Sequence, residues 1–430
     1  MSRRATTGLL AVLSLSLVRR AKVRHRRVVE HPRAARPATG ARARALILSA
    51  SVGGGHNAAA RVIQSELSQA GHLVEVVDGL ALVSPRLDRF FRWSYPRQLR
   101  WVPWLCDLQI RLSNWRTVAA AIRRVCAALW SERLLGVVEA MQPDLVVSTY
   151  PLITAVLGSL RAGGRLGRPC AAVVTDYGVH RLWTAPGVDL HLVVSEESRR
   201  QVTDADGPVA VMQPLVNPAY RVLRDRQAAR ARLHLPQQAF IALVVGGAWG
   251  IGDLEAMTVH VAASGVYTVV VCGRNASLAA RLSARFARHE TVRVLGWTEE
   301  LPWYMAAADC LVQNAGGITC LEAVAARLPI VLYRPVAGHG RLNAAAMERA
   351  EAAYWARSAR ELQALLRAAA SGLIQLDPPR VESGLPASAA LVSLLPMPME
   401  QETSLSSVGS GVPSPYNCES DPFLRVHPSG

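Results

Sequence analysis

The chain has a single lysine, Lys22, in 430 residues. A P-loop needs a lysine at the start of the helix after its glycine turn, so that mode of nucleotide binding is excluded. Seven cysteines form no C-x-x-C pair and keep no regular spacing. Neither a zinc site nor a disulfide framework is indicated, and a reducing compartment fits better. The apolar stretch from Gly8 to Val18, between Arg3-Arg4 and Arg19-Arg20, has eleven residues. At ~1.5 Å per residue a helix of that length falls short of a hydrocarbon core ~30 Å thick. The arginine-rich segment after it offers no small-residue cleavage site, which argues against a signal peptide. Clustered arginines beside an apolar patch read instead as an arm drawn to anionic lipid.

Acidic residues are scarce in two places only. Residues 1–44 carry twelve basic side chains and one acid, and residues 84–135 carry ten arginines against three acids. Together these stretches exceed the whole net charge of +16, so the remainder is slightly acidic. Two basic surfaces on a neutral body are not the uniform basic coat of a nucleic-acid binder.

What is present is a repeating alternation of short apolar runs and amphipathic segments. The spacing predicts strands at Ala45–Ser51, Leu73–Val77, Leu145–Thr149, Ala171–Thr175, Leu190–Ser195 and Val209–Met212, with helices between them. "MQPLVNPAYR" breaks the pattern with two prolines, as a linker does. A second series follows, with strands at Ile241–Val245, Tyr267–Cys272, Val292–Leu295, Cys310–Gln313 and Ile330–Leu332. The division expected is a basic arm over 1–43, a first α/β domain over 44–212, a linker over 213–221 and a second α/β domain over 222–375. From 376 to 430 the Pro/Ser/Gly-rich text predicts a disordered tail.

Glycine-rich turns follow several of these strands. The first, "SASVGGGHNAAA", matches a loose dinucleotide pattern through Gly53, Gly55 and Ala58, with Asp78 after the second strand as a ribose-binding acid. His56 adds nothing to dinucleotide binding; it sits where a ligand proton can be removed, with a loop histidine that caps the helix or meets solvent as the plain alternative. In the second half "GGAWGIG" contains Gly247, and "NAGGITCLEA" puts Asn314, Gly316 and Gly317 after a strand. Thr319 falls at a helix N-cap position, with Glu322 at capping-box spacing. A cap is one reading. The other places a nucleotide diphosphate on Gly316, Gly317 and Thr319, with Glu322 accepting from ribose hydroxyls. "PVAGHGRLNAAA" supplies a further polar turn with His339 and Asn343.

The motifs "SASVGGGHNAAA", "VVTDYGVHRLW", "VDLHLVVSEE", "VLGWTEELPWYMAAADCLVQNAGGITCLEA" and "PVAGHGRLNA" together resemble the monogalactosyldiacylglycerol synthase and processive diacylglycerol glucosyltransferase family. The resemblance covers about residues 44–370. It implies a GT-B fold, in which two facing Rossmann-like, doubly wound α/β domains enclose a cleft. It further implies a UDP-sugar donor on the C-terminal domain, a diacylglycerol-like acceptor on the N-terminal one, inversion at the anomeric carbon and no catalytic metal. On the acceptor side Gly54, Gly55 and His56 match the family's Gly-Gly-His loop, and Thr175, Asp176, Tyr177 and His180 match its T-D-Y/F-x-x-H element. On the donor side Gly316, Gly317, Thr319 and Glu322 match one loop, and Gly338, His339 and Asn343 the next. Two departures stand out: "QPLVNP" replaces the relatives' interdomain sequence, and the Pro/Ser-rich ending replaces their final helix across the cleft.

Within that frame His56 is the expected base and Asp176 its rival or its orienter, with a turn aspartate bound to backbone N–H groups as the plain alternative. "TDY" is not a D-x-D metal motif. Five of ten tryptophans lie between Trp93 and Trp130, interleaved with arginines. Trp93, Trp101 and Trp104 with Arg97 and Arg100 read as a lipid-interface patch on a loop and short helix broken by Pro96 and Pro103. The same composition fits single-stranded nucleic acid, but no RNA-binding motif accompanies it. The expectation is a peripheral glycosyltransferase on the cytoplasmic face of an anionic membrane. Its alternatives are a UDP-N-acetylglucosamine 2-epimerase-like enzyme, a lipid I-type N-acetylglucosaminyl transferase and a non-catalytic lipid-surface protein.

Overall fold

A computed structural model describes residues 42–395, apart from 53, 223 and 224. The basic arm, Gly53 and the end of the chain from 396 lie outside the described residues. The described residues from Ala43 to 395 form one compact unit.

The N-terminal half is built from β1 (Arg44–Ser49), α1 (Gly55–Gln69), β2 (Leu73–Asp78), α2 (Gly79–Val83), α3 (Pro85–Trp101), α4 (Pro103–Ser113) and α5 (Arg116–Met141). It continues with β3 (Leu145–Ser148), α6 (Pro151–Ala162), β4 (Cys170–Val173), β5 (Leu190–Val193), α7 (Glu196–Gln201) and β6 (Val209–Val211). The C-terminal half has α8 (Arg226–Arg232), β7 (Ile241–Val245), α9 (Leu254–Ala262), β8 (Tyr267–Val271), α10 (Ala276–Arg285), β9 (Val292–Leu295) and α11 (Leu301–Ala307). It closes with β10 (Cys310–Gln313), α12 (Gly317–Ala325), β11 (Ile330–Tyr333), α13 (His339–Arg349), β12 (Tyr354–Ala356), α14 (Ala359–Ala370) and α15 (Ala387–Val392).

Each half holds a six-stranded sheet, ordered β2-β1-β3-β4-β5-β6 and β12-β11-β10-β7-β8-β9. All pairings are parallel. Helices cover both faces, so the central strands are continuously apolar rather than alternating, and β3, β4, β7, β10 and β11 are buried along their length. Strand order reverses between β1 and β3, and again between β7 and β10. Ligands bind outside the carboxyl ends of strands at such a reversal. The Gly54–His56 turn follows β1 and the Gly247 and Gly316 turns follow β7 and β10, so both reversals carry the glycine turns. This is the GT-B architecture.

Three predictions are corrected. Pro96 does not break its segment, because α3 runs through it; the break falls at Val102, where Pro103 opens α4. The edge strand β12 is absent from the predicted strands. Finally, residues 376–395 are not a structureless tail. Leu385 bridges to Met212 beside β6, accepting from Gln213 N–H at 2.9 Å. Glu66 on α1 accepts from the Ser388 N–H at 3.2 Å, and Ala387 and Leu391 are fully buried. The prolines here give an extended return to the N-terminal half, so a final helix does cross back.

Candidate active site

His56 is the second residue of α1. Gly54 occupies the N-cap, where it can lie 3.6 Å from Ala248 of the opposite half as measured from an added Cβ. A Cβ on Gly55 would likewise meet Ile318 at 3.6 Å. The His56 ring stands edge-on to Tyr150 (5.2 Å between centroids) and tilted against Trp183 (5.6 Å). Its Nδ1 is buried without a protein partner, as are His180 Nδ1 and Trp183 Nε1.

His180 precedes a 3-10 turn, Arg181–Trp183, that is pinned from below. Arg123 on α5 donates to the carbonyls of Arg181 and Thr184 and pairs with Asp204 at 2.7 Å. Asp204 also pairs with Arg181, and Asp206 accepts from the Gly187 N–H. The D-x-D triplet at 204–206 is thus engaged in structure. Among the described residues no group of three or more His, Cys, Asp or Glu is arranged to hold a metal ion.

In the C-terminal half Gly247 takes φ +67°, which the turn after β7 requires. Asn314 is buried and donates to the Ile251 carbonyl at 2.7 Å, tying the turn after β10 to the turn after β7. The Gly316 N–H is taken by Gln313 Oε1 at 2.8 Å. Gly316 is the N-cap of α12 and supplies no side-chain cap. Thr319 is therefore not the N-cap but lies inside the first turn, and the capping-box reading of Glu322 is overturned. The Glu322 carboxyl instead has the Tyr220 side chain as its neighbour, close enough to favour its ionised form. Arg274 lies 4.2 Å over the half-exposed ring of Trp297, at the carboxyl ends of β8 and β9.

Contacts across the cleft converge on α13. Asn343 donates to Asp176 Oδ1 at 3.2 Å and accepts from the Gly178 N–H at 2.8 Å. Asp176 therefore meets a side-chain amide of the other half rather than turn N–H groups. Asp107 on α4 accepts from the Gly338 N–H at 2.7 Å and pairs with Arg341. Tyr95 on α3 reaches His339 Nδ1 at 3.0 Å, and Glu197 accepts from Arg349 at 2.6 Å.

Burial dominates the electrostatics. It lowers the pKa values of His56 and His339, partly countered in each by the charge of Asp176. It lowers His180 to about 4, again against Asp176. At neutral pH three uncharged imidazoles therefore lie within the field of the same carboxylate. Burial also raises Glu322 to about 8, while the neighbouring Tyr220 acts the other way.

The structure thus gathers His56, Asp176, His180, His339 and Asn343 at one place, with α12 beginning opposite them. Tyr177 does not join them: its side chain is buried in the apolar core. Asp78 is also a structural residue, accepting from Ser51 and Ala81 N–H groups as the N-cap of α2. Tyr95, Tyr150, Trp183 and Tyr220 were missed, although "HRLW" and "NPAY" contain two of them. Trp93, Trp101 and Trp104 are exposed at 57%, 71% and 63%, whereas Trp130 is core. Arg97 and Arg100 stack on Trp93 and Trp101 at 4.5 and 5.0 Å.

A family model described as monogalactosyldiacylglycerol (MGDG) synthase matches residues 56–208. A processive diacylglycerol beta-glucosyltransferase of Bacillus subtilis is 26% identical over 316 residues, covering 70% of this chain and 80% of that protein. One from Bacillus cereus is 25% identical over 323 residues, covering 72% and 80%. Among solved structures, MurG of Acinetobacter baumannii superposes with TM-score 0.51 at 14% identity, over 82% of this chain and 99% of that one. The Streptomyces sp. SF2575 glycosyltransferase SsfS6, complexed with thymidine diphosphate, gives 0.50 at 16% identity, over 76% and 90%.

Proposed function

We propose that the chain, which is similar to monogalactosyldiacylglycerol synthases and processive diacylglycerol glucosyltransferases, is a glycosyltransferase that transfers a hexose from a UDP-sugar to a diacylglycerol-like lipid with inversion. The observation that carries the reading is the juxtaposition of His56 and Asp176 with the N-terminus of α12. His56 is uncharged, so it can accept the proton of the acceptor hydroxyl. The hydroxyl oxygen then bonds to the anomeric carbon as the bond to the diphosphate oxygen breaks, and UDP leaves with the electron pair. The N–H groups at Gly317–Thr319 and the helix dipole stabilise the departing anion. Gly247, Gly316 and Asn314 shape that loop, and Glu322 accepts from the ribose hydroxyls in place of Tyr220. Trp297 beneath Arg274 offers a platform for the base. The scheme requires no bound metal.

The acceptor arrives from a membrane. Among the described residues no helix is long and apolar enough to span one. The exposed tryptophans and the arginines stacked on them suit a peripheral protein on an anionic surface, with rings at the acyl boundary and guanidinium groups among headgroups. The six unpaired cysteines among the described residues and the use of a nucleotide-sugar donor support a site on the cytoplasmic face.

The test is transfer from radiolabelled UDP-glucose and UDP-galactose to diacylglycerol in anionic vesicles. A labelled monohexosyl lipid of inverted anomeric configuration is expected. Epimerised UDP-N-acetylglucosamine, transfer only to lipid I, or no turnover with any donor overturns the proposal.

A further inference from the structure

The helices that carry the exposed aromatic residues have a second face. On α3, Phe90, Trp93, Arg97, Arg100 and Trp101 fall within roughly 100° of arc at 3.6 residues per turn, and Tyr95 lies on the other side. That other side meets the C-terminal half. Tyr95 reaches His339 at 3.0 Å, and Asp107 on α4 holds the Gly338 N–H at 2.7 Å together with Arg341. The fit is close, since a Cβ on Gly338 would stand 3.0 Å from the Cys106 carbonyl. Both contacts grip the first turn of α13. The same helix, one turn on, presents Asn343 to Asp176 and Gly178.

We propose that Tyr95 and Asp107 are positioning residues that couple lipid docking by α3–α4 to closure of the donor-binding half over the acceptor-binding half. The inference rests on the membrane and donor readings above. A surface that holds the outer face of α3–α4 restricts the motion of the inner face. The inner face then keeps α13, and with it the sugar-nucleotide loops, in the closed arrangement. A ligand that needs closure binds more tightly to a protein already held closed. Linkage makes the effect reciprocal, so the donor must also tighten the hold on lipid by the same factor.

The experiment measures UDP affinity of the full chain by calorimetry, alone and with phosphatidylglycerol vesicles, using phosphatidylcholine vesicles as the neutral control. An increase of at least about fivefold is expected with anionic vesicles, the lower end of ordinary coupling. Saturating UDP should tighten vesicle binding equally. Tyr95→Phe, which keeps the ring packed, and Asp107→Ala should each bind vesicles as before yet lose the increase. Wild-type protein that binds both ligands without mutual effect overturns the coupling, as does full enhancement in both variants. Loss of vesicle binding in the wild type refutes the membrane reading, and absence of UDP binding in every condition refutes the donor reading. Either result removes the coupling with it.

Discussion

Gly317, at the start of α12, lies so close to Asp176 of the opposite half that a Cβ there would stand 2.4 Å from Asp176 Oδ1. No real Cβ tolerates that approach, so the carboxylate and the first turn of α12 share their position only because residue 317 has no side chain. Gly317→Ala should leave the fold intact, since residue 317 is helical. It should displace Asp176 and lower kcat by up to about 10²-fold, the cost of ångström-scale misplacement at a reacting centre. Unchanged kcat in a folded variant would show that Asp176 has no part in the reaction.

His56→Ala should lower kcat by at least ~10²-fold, the lower end for removing a general base. UDP affinity should be preserved, because His56 belongs to the other half. Burial lowers the His56 pKa, so the imidazole is unprotonated and competent through neutral pH. The acid limb of kcat/KM should therefore fall below pH 6.5, the usual histidine value. A limb at or above that value would assign the titration to another group.

Glu322 is raised to about 8 by burial, so much of it is protonated in the free protein at neutral pH. Ribose hydroxyls bind its ionised form best, and ionising it below its own pKa costs about 1.4 kcal/mol per pH unit. UDP affinity should rise from pH 7 to 9, above the terminal phosphate's own ionisation near 6. Glu322→Gln should flatten that dependence and weaken binding by about 1.5–3 kcal/mol, the range for charged hydrogen bonds. Calorimetry showing an unaltered slope in the variant would remove Glu322 from the donor site.

Replacing Trp93, Trp101 and Trp104 by serine should reduce binding to anionic vesicles and transfer to bilayer-embedded acceptor. Transfer to a short-chain soluble acceptor should survive. Arginines near a charged surface contribute ~1 kcal/mol each, and the attraction is screened within a Debye length. Wild-type vesicle binding should accordingly weaken with salt, measured in protein starting near Ala43. Normal vesicle binding by the triple variant would move lipid docking elsewhere.

His191 is fully buried and accepts the Ala185 N–H on Nε2 at 3.3 Å. Burial lowers both His191 and His180 to about 4. Between that value and the unfolded value of 6.5, the unfolded chain binds more protons than the native one. The contribution of these two histidines to stability is therefore held above pH 6.5, declines as pH falls to about 4 and changes no further below. Each histidine steepens the decline by at most about 1.4 kcal/mol per pH unit. His191→Gln should flatten part of the slope in urea melts across this window; an identical slope would show that His191 does not titrate there.

The sequence by itself determined the alternation of strands and helices, because burial on both sheet faces needs continuous apolar runs such as Ile241–Val245. It also located the glycine turns, since a chain that leaves a strand for a helix beside a ligand needs residues without side chains. Local pattern could not reveal β12, whose three residues Tyr354–Ala356 gain their strand character only by pairing with β11. Nor could it separate Tyr177, a core residue, from its neighbour Asp176 in the same motif. The return of residues 376–395 reads as tail by composition, because its stabilisation comes from surfaces on β6 and α1 more than a hundred residues away in the chain. Tertiary structure alone decided that Asn343 faces Asp176, that Tyr220 reaches Glu322 and that Tyr95 and Asp107 grip α13. Each of these contacts joins side chains that only the packing of one half against the other, or against the connecting segment, brings together.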